Sequence, residues 1–163
     1  MKKLLILSIM LFTDVCCVSQ NSTILLPSIN IKSLEGKTLN TKEFDNKGKP
    51  MVIAFWATWC KPCTKELNAI SDVYEQWQKE TKVKVIAISI DDARNSSKVA
   101  PYANGKDWPF EIYLDDNSDL KRALNVNSIP HTFLLNAKKE IVWQHASYLD
   151  GDEEELYEEI IKL

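Results

Sequence analysis

Two apolar runs of strand length set the architecture. Met51–Trp56 is continuously apolar, and Val83–Ile90 is apolar with dense β-branching, as in central strands covered on both faces. Between them Leu67, Ile70, Val73, Tyr74 and Trp77 recur at three- and four-residue spacing, which predicts a helix packing one stripe on the sheet. The result is a β-α-β unit.

The flanking segments extend that unit. Ser28–Asn46 reads as a small hairpin turning at Glu35-Gly36-Lys37, and Lys47-Gly48-Lys49-Pro50 breaks the chain after it. Beyond the second central run, Ser97–Asn104 reads as a short helix ended by Gly105, Phe110–Leu114 as a strand, and Ser118–Leu124 as a helix capped by Ser118. His131–Leu135 and Ile141–His145 read as antiparallel strands joined by Asn136-Ala137-Lys138-Lys139. The closing helix, Asp152–Leu163, carries Leu156, Ile160 and Leu163 as one stripe behind an acidic first turn that suits the helix dipole. This order predicts an α/β fold, a three-layer α/β/α sandwich around a mixed central sheet.

With 163 residues the chain has room for one domain. A net charge of -3, with no run of basic residues, argues against nucleic acid or anionic lipid as a partner. Four cysteines are too few for a disulfide scaffold, and they fall in two unlike pairs, Cys16-Cys17 and Cys60/Cys63. The first lies in residues 1–19, where Lys2 and Lys3 precede the apolar run Leu4–Phe12 and a stretch leading to Ser19. That profile is a signal peptide, too short to span a bilayer, with cleavage after Ser19 and a domain at 20–163. The competing reading, a lipoprotein modified at Cys16 or Cys17, fits poorly with Thr13-Asp14-Val15 before them. Export to the periplasm or the outer face of the cytoplasmic membrane leaves one cysteine pair where disulfides can form and persist.

That pair follows a buried strand and opens a helix, in Trp56-Ala57-Thr58-Trp59-Cys60-Lys61-Pro62-Cys63. At a helix N-terminus the unpaired N–H groups and the dipole favour a thiolate, the attacking species in disulfide exchange. Cys60 is the attacking residue, and Cys63, one turn further in, can resolve the mixed disulfide. Pro62 fixes the first turn without losing a needed N–H, and Lys61 adds positive charge beside the thiolate.

With Glu66, Ile86-Ala87-Ile88-Ser89-Ile90-Asp91 and Ile129-Pro130-His131-Thr132-Phe133-Leu134-Leu135, this segment resembles the thioredoxin superfamily, and within it the exported TlpA/ResA-like thiol-disulfide oxidoreductases. The resemblance runs from about Ile29 to Leu163. It implies a thioredoxin fold with an N-terminal β extension and an inserted segment, Asp92–Pro109, after the second central strand. It also implies reduction of protein disulfides outside the cytoplasm, in support of cytochrome c maturation, with electrons from a membrane donor. A cis Ile129–Pro130 bond opposite the cysteines, pairing with an extended substrate segment, is implied in the same way.

The classical pattern has a buried aspartate where this chain has Ala54. Glu66, three residues after Cys63, can replace it as proton acceptor, and a glutamate at this spacing recurs in the ResA-like branch; the alternative is a solvated surface glutamate. His131 stands where the family has threonine or a small polar residue; it either titrates beside the thiolates or packs. Trp59 is a partly exposed platform and at most a substrate contact. Asp91-Asp92 reads as a strand-end turn, and the acidic run Asp150–Glu159 as a solvated helix face.

Other functions fit less well. Zinc would need Cys60, Cys63, His131 and His145, whose spacing is wrong. A thiol peroxidase wants its threonine three residues before the cysteine, whereas Thr58 stands two before Cys60. A copper chaperone wants a wider cysteine spacing. A disulfide-forming or isomerising oxidant of the same fold differs only in the direction of electron flow. No cofactor or metal is called for, and a monomer acting on protein disulfides is expected.

Overall fold

The computed structural model describes residues 24–163, so the leader expected at residues 1–19 lies outside the described residues. The chain runs β1 (Asn30–Ser33), β2 (Thr38–Asn40), β3 (Met51–Trp56), α1 (Lys61–Thr81), β4 (Lys84–Ser89), α2 (Val99–Asn104), β5 (Glu111–Leu114), α3 (Asp119–Ala123), β6 (His131–Leu135), β7 (Ile141–Ala146) and α4 (Asp152–Ile160). One seven-stranded sheet has the order β2-β1-β5-β4-β3-β6-β7. Strands β3, β4 and β5 are parallel neighbours, and the other pairings are antiparallel. The β1–β2 hairpin is the N-terminal extension, joined to the sheet through Lys32 opposite Leu114. Helix α2, behind a 3-10 turn at Ser96–Lys98, is the helical part of the insertion between β4 and β5.

Every residue of β3 is buried, because helices cover both faces of the sheet's centre. On one face Val52, Ala54, Trp56, Val85 and Ala87 meet Leu67, Ile70, Tyr74 and Trp77 of α1, Val99 and Ala103 of α2, and Leu156 and Ile160 of α4. On the other, Ile53, Phe55, Ile86, Ile88 and Phe133 pack with Ile31, Phe44 and Leu120 of α3. Strict alternation along β3 and β4 divides the side chains between these two cores. The fold is the α/β thioredoxin fold.

Helix α1 is long because its stripe is unbroken: Cys63, Glu66, Leu67, Ile70, Tyr74 and Trp77 are buried at three- and four-residue steps. Burying a side chain such as Leu67 is worth about 1.5–3 kcal/mol. Lys82, in the left-handed region at φ 63°, ends the helix with its N–H on the Gln78 carbonyl. Ser118 stands at the N-cap position of α3, in the left-handed region at φ 57°, but its hydroxyl makes no capping hydrogen bond. Asp115 takes its place, its carboxylate accepting from Leu120 N at 3.1 Å and Lys121 N at 2.8 Å.

Candidate active site

The site lies at the C-terminal end of β3. A turn from Ala57 to Cys60, closed by Cys60 N–H donating to the Ala57 carbonyl at 3.0 Å, hands the chain from the strand to α1. Cys60 is the N-cap of that helix, and its Sγ accepts the Cys63 N–H at 3.2 Å. A sulfur thus stands where a capping oxygen usually stands, facing an otherwise unpaired helix N–H. Cys60 and Cys63 are joined by a disulfide; Cys63 has no exposure and Cys60 only 6%. Lys61 and Pro62 are exposed between them, and Trp59 is 65% exposed.

Pro130 enters from β6. That strand pairs antiparallel with β3, with His131 opposite Phe55, so Pro130 stands level with Trp56 at the strand end from which the cysteine turn departs. The Ile129–Pro130 peptide is cis. Pro130 is buried, Ile129 is half-buried, and the Pro130 carbonyl accepts from Ser147 N at 2.9 Å.

Glu66 projects from α1 onto the sheet and is 6% exposed, which excludes the solvated alternative. Its Oε1 accepts the Thr132 hydroxyl at 2.7 Å, while Oε2 is buried without a partner. Thr132 stands opposite Ala54. The glutamate therefore brings a carboxylate to the Ala54 side of the sheet, approaching from the helix. Burial pushes its carboxyl up to about 7; the Thr132 hydrogen bond opposes this and the charge of Asp152 adds to it. Asp152 in turn holds His145 Nε2 at 3.3 Å.

His131 does not join the cysteines. Alternation along β6 sends Thr132 toward Glu66 and His131 to the opposite face, where it stacks on Phe133 at 4.5 Å and meets Gln144 at 3.2 Å. Burial lowers its pKa. Among the described residues no three His, Cys, Asp or Glu side chains converge on a metal position.

Two groups around the cysteines escape sequence reasoning. Tyr102 and Trp108 of the insertion pack on Trp56 at 5.8 and 4.9 Å, and the Tyr102 hydroxyl meets Thr64 Oγ1 at 2.9 Å. Asp91 is not a surface turn residue: it has no exposure and binds Thr58 and Ser89, whereas Asp92 makes the turn. Period-two reading of Ser89-Ile90-Asp91 gives both polar residues one face, the only hint the sequence holds.

The AhpC/TSA family model matches residues 25–144. The thiol-disulfide oxidoreductase ResA of Bacillus thuringiensis subsp. konkukian is 30% identical over 116 residues, covering 71% of this chain and 64% of ResA. The chain thus spans just under two thirds of the length of that relative. The thioredoxin-like protein YneN of Bacillus subtilis is 35% identical over 132 residues, covering 79% of this chain and 74% of its own. Among solved structures, a thioredoxin-like protein from Porphyromonas gingivalis is 48% identical, covers 85% of this chain and 90% of its own, and superposes with a TM-score of 0.77. StoA from Bacillus subtilis, at 24% identity and a TM-score of 0.64 over 82% of this chain and 98% of its own, shares the fold. The chain belongs to the AhpC/TSA family and is a TlpA/ResA-like member of the thioredoxin superfamily.

Proposed function

We propose that the protein is a thiol-disulfide oxidoreductase acting on protein substrates through Cys60 and Cys63, and that it works as a reductase outside the cytoplasm. The observation that carries this reading is the pair itself, closed within the first turn of a long helix with Cys60 Sγ on the Cys63 N–H. A hydrogen bond donated to sulfur favours the thiolate.

In the reduced protein the Cys60 thiolate attacks one sulfur of a substrate disulfide. A Cys60–substrate bond forms, and the other substrate sulfur leaves as a thiolate that takes a proton from solvent. Cys63 passes its proton to the Glu66 carboxylate and attacks Cys60 Sγ. The Cys60–substrate bond breaks, the second substrate sulfur leaves as a thiolate that takes a proton from Glu66 or solvent, and the Cys60–Cys63 disulfide remains. Two electrons have moved to the substrate, and a membrane donor returns them. Glu66 suits the proton step because burial brings its carboxyl to about 7, between an ordinary carboxylate and a thiol. The Pro130 segment, with Ile129, Trp59, Lys61 and Pro62, supplies the surface against which an extended substrate lies.

The direction of transfer, and support of cytochrome c maturation as its setting, are what the family resemblance implies. Residues 1–19 act as the export signal, leaving a domain at 20–163. The test is thiol trapping in the native cells together with a Cys63→Ala variant. A reductase is found mainly as the dithiol while its donor is intact, and Cys63→Ala accumulates mixed disulfides through Cys60. A pair trapped mainly as the disulfide makes the protein an oxidant, and the absence of adducts removes Cys60 as nucleophile.

A further inference from the structure

Asp91 is a fully buried carboxylate whose partners are neutral. Its Oδ2 accepts the Thr58 N–H at 2.8 Å and the Ser89 hydroxyl at 2.8 Å, and its Oδ1 accepts the Thr58 hydroxyl at 2.7 Å. Its own N–H donates to Ser89 Oγ at 3.1 Å, and Ile90 N–H donates to the Trp56 carbonyl at 2.9 Å, so the carboxylate is fixed to the ends of β3 and β4. A buried carboxylate is expensive unless its oxygens are paired. The exposed Asp92, which accepts from Arg94 N at 3.1 Å and Asn95 N at 3.0 Å, already makes the turn. Turn formation alone therefore leaves Asp91 unexplained.

What Asp91 grips is the residue two before the nucleophile. Thr58 lies inside the Ala57–Cys60 turn and is held at both its backbone and its side chain. From there the chain reaches the Cys60 cap, where Sγ must stay within reach of the Cys63 N–H. Hydrogen bonds weaken steeply with distance and angle, so a small drift of this turn removes the interaction that favours the thiolate. We infer that Asp91 is a positioning residue for Cys60: anchored on the sheet, it sets the Thr58 turn and so places the Cys60 sulfur against the helix N-terminus. This rests on the proposal that Cys60 is the attacking sulfur.

The test follows alkylation of Cys60 by iodoacetamide against pH in the reduced full chain, resolved by peptide mass spectrometry, with urea midpoints measured alongside. Asp91→Ala is expected to raise the alkylation midpoint by about one pH unit and so slow the reaction about tenfold at pH 7. Asp91→Asn, which can keep the bonds to Thr58, is expected to stay within about threefold of the parent. Thr58→Val is expected to shift the profile in the Ala direction, and Thr58→Ser to restore it. An unchanged profile in Asp91→Ala, with only a lower urea midpoint, overturns the inference, as does Asp91→Asn falling as far as Ala. If Asp91→Ala does not fold, equal profiles for Thr58→Val and Thr58→Ser overturn it instead. Should these shifts occur in a protein that forms no mixed disulfides, the functional proposal falls and the positioning role stands.

Discussion

The site rests on two buried carboxylates that are treated in opposite ways. At the nucleophile's turn, Asp91 receives three hydrogen bonds from two residues. Beneath the helix, Glu66 receives one, from Thr132, and its second oxygen has no partner. The first arrangement suits a fixed group, because every displacement breaks something. The second suits a group that changes protonation, because neither form is strongly preferred near neutral pH. Less than two turns of helix, from Cys60 to Glu66, thus separate a part of the site built to stay still from a part built to titrate.

The contrast breaks first on stability. Because the Glu66 carboxyl is raised from 4.5 to about 7 in the fold, folding favours its neutral form. The unfolded chain ionises first as pH rises, so stability falls between about 4.5 and 7 and levels off above. Glu66→Gln lacks this loss and keeps an acceptor for Thr132. It is expected to be more stable than the parent by up to about 3 kcal/mol at pH 8 and to match it near pH 4.5, as read by urea unfolding. A gain that does not vary with pH removes the titrating role.

The next effect is kinetic. Glu66→Gln is expected to slow resolution of a Cys60 mixed disulfide about a hundredfold at pH 8, where the carboxylate is ionised, and far less at pH 5.5, followed by stopped-flow. Equal slowing at both values points to packing instead. Ser89→Ala, which removes one donor from Asp91, is expected to cost about 1–2 kcal/mol, read by urea unfolding. A cost below about 0.5 kcal/mol means that the Asp91 bonds do not hold the turn, and dissolves the contrast. Smallest of all is Lys65→Ala: the Lys65–Asp150 pair is 3.4 Å long with side chains 65% and 82% exposed, so its loss is expected to change the unfolding free energy read from urea titration by less than about 0.5 kcal/mol.

The elements that place the cysteines are those with the plainest sequence pattern. Met51–Trp56 and Val83–Ile90 are apolar runs buried on both faces, and the stripe from Leu67 to Trp77 buries one helix face at helical spacing; burial is what such patterns report. Glu66 is harder, since a glutamate beside Leu67 fits a solvated or a buried face equally well. His131 and Thr132 are harder still. Alternation says that they part company, but only the pairing of Thr132 with Ala54 and the seat of α1 decide which of them meets the helix. Asp91 looks like a turn residue and is instead a buried acceptor for the Thr58 N–H and hydroxyl, supplied from the turn that follows another strand. Such partners meet only after the sheet has formed, and no local rule can see them.

The pairing of Leu25 with Glu140, supported by Leu26 N on the Lys139 carbonyl and Ile141 N on the Ile24 carbonyl, has a practical side. These contacts sit where β7 begins, whereas Ala146, at its far end, pairs with His131 beside Pro130. Five steps of strand, roughly 17 Å, lie between the two. The Leu25–Glu140 pairing is antiparallel, so the backbone at Ile24 heads along β7 toward Ala146, and Ile24 already borders a surface groove with His131 and Gln144. A carrier fused directly ahead of Ile24 is therefore led toward the Pro130 end, and a substrate-capture experiment from that side needs a spacer.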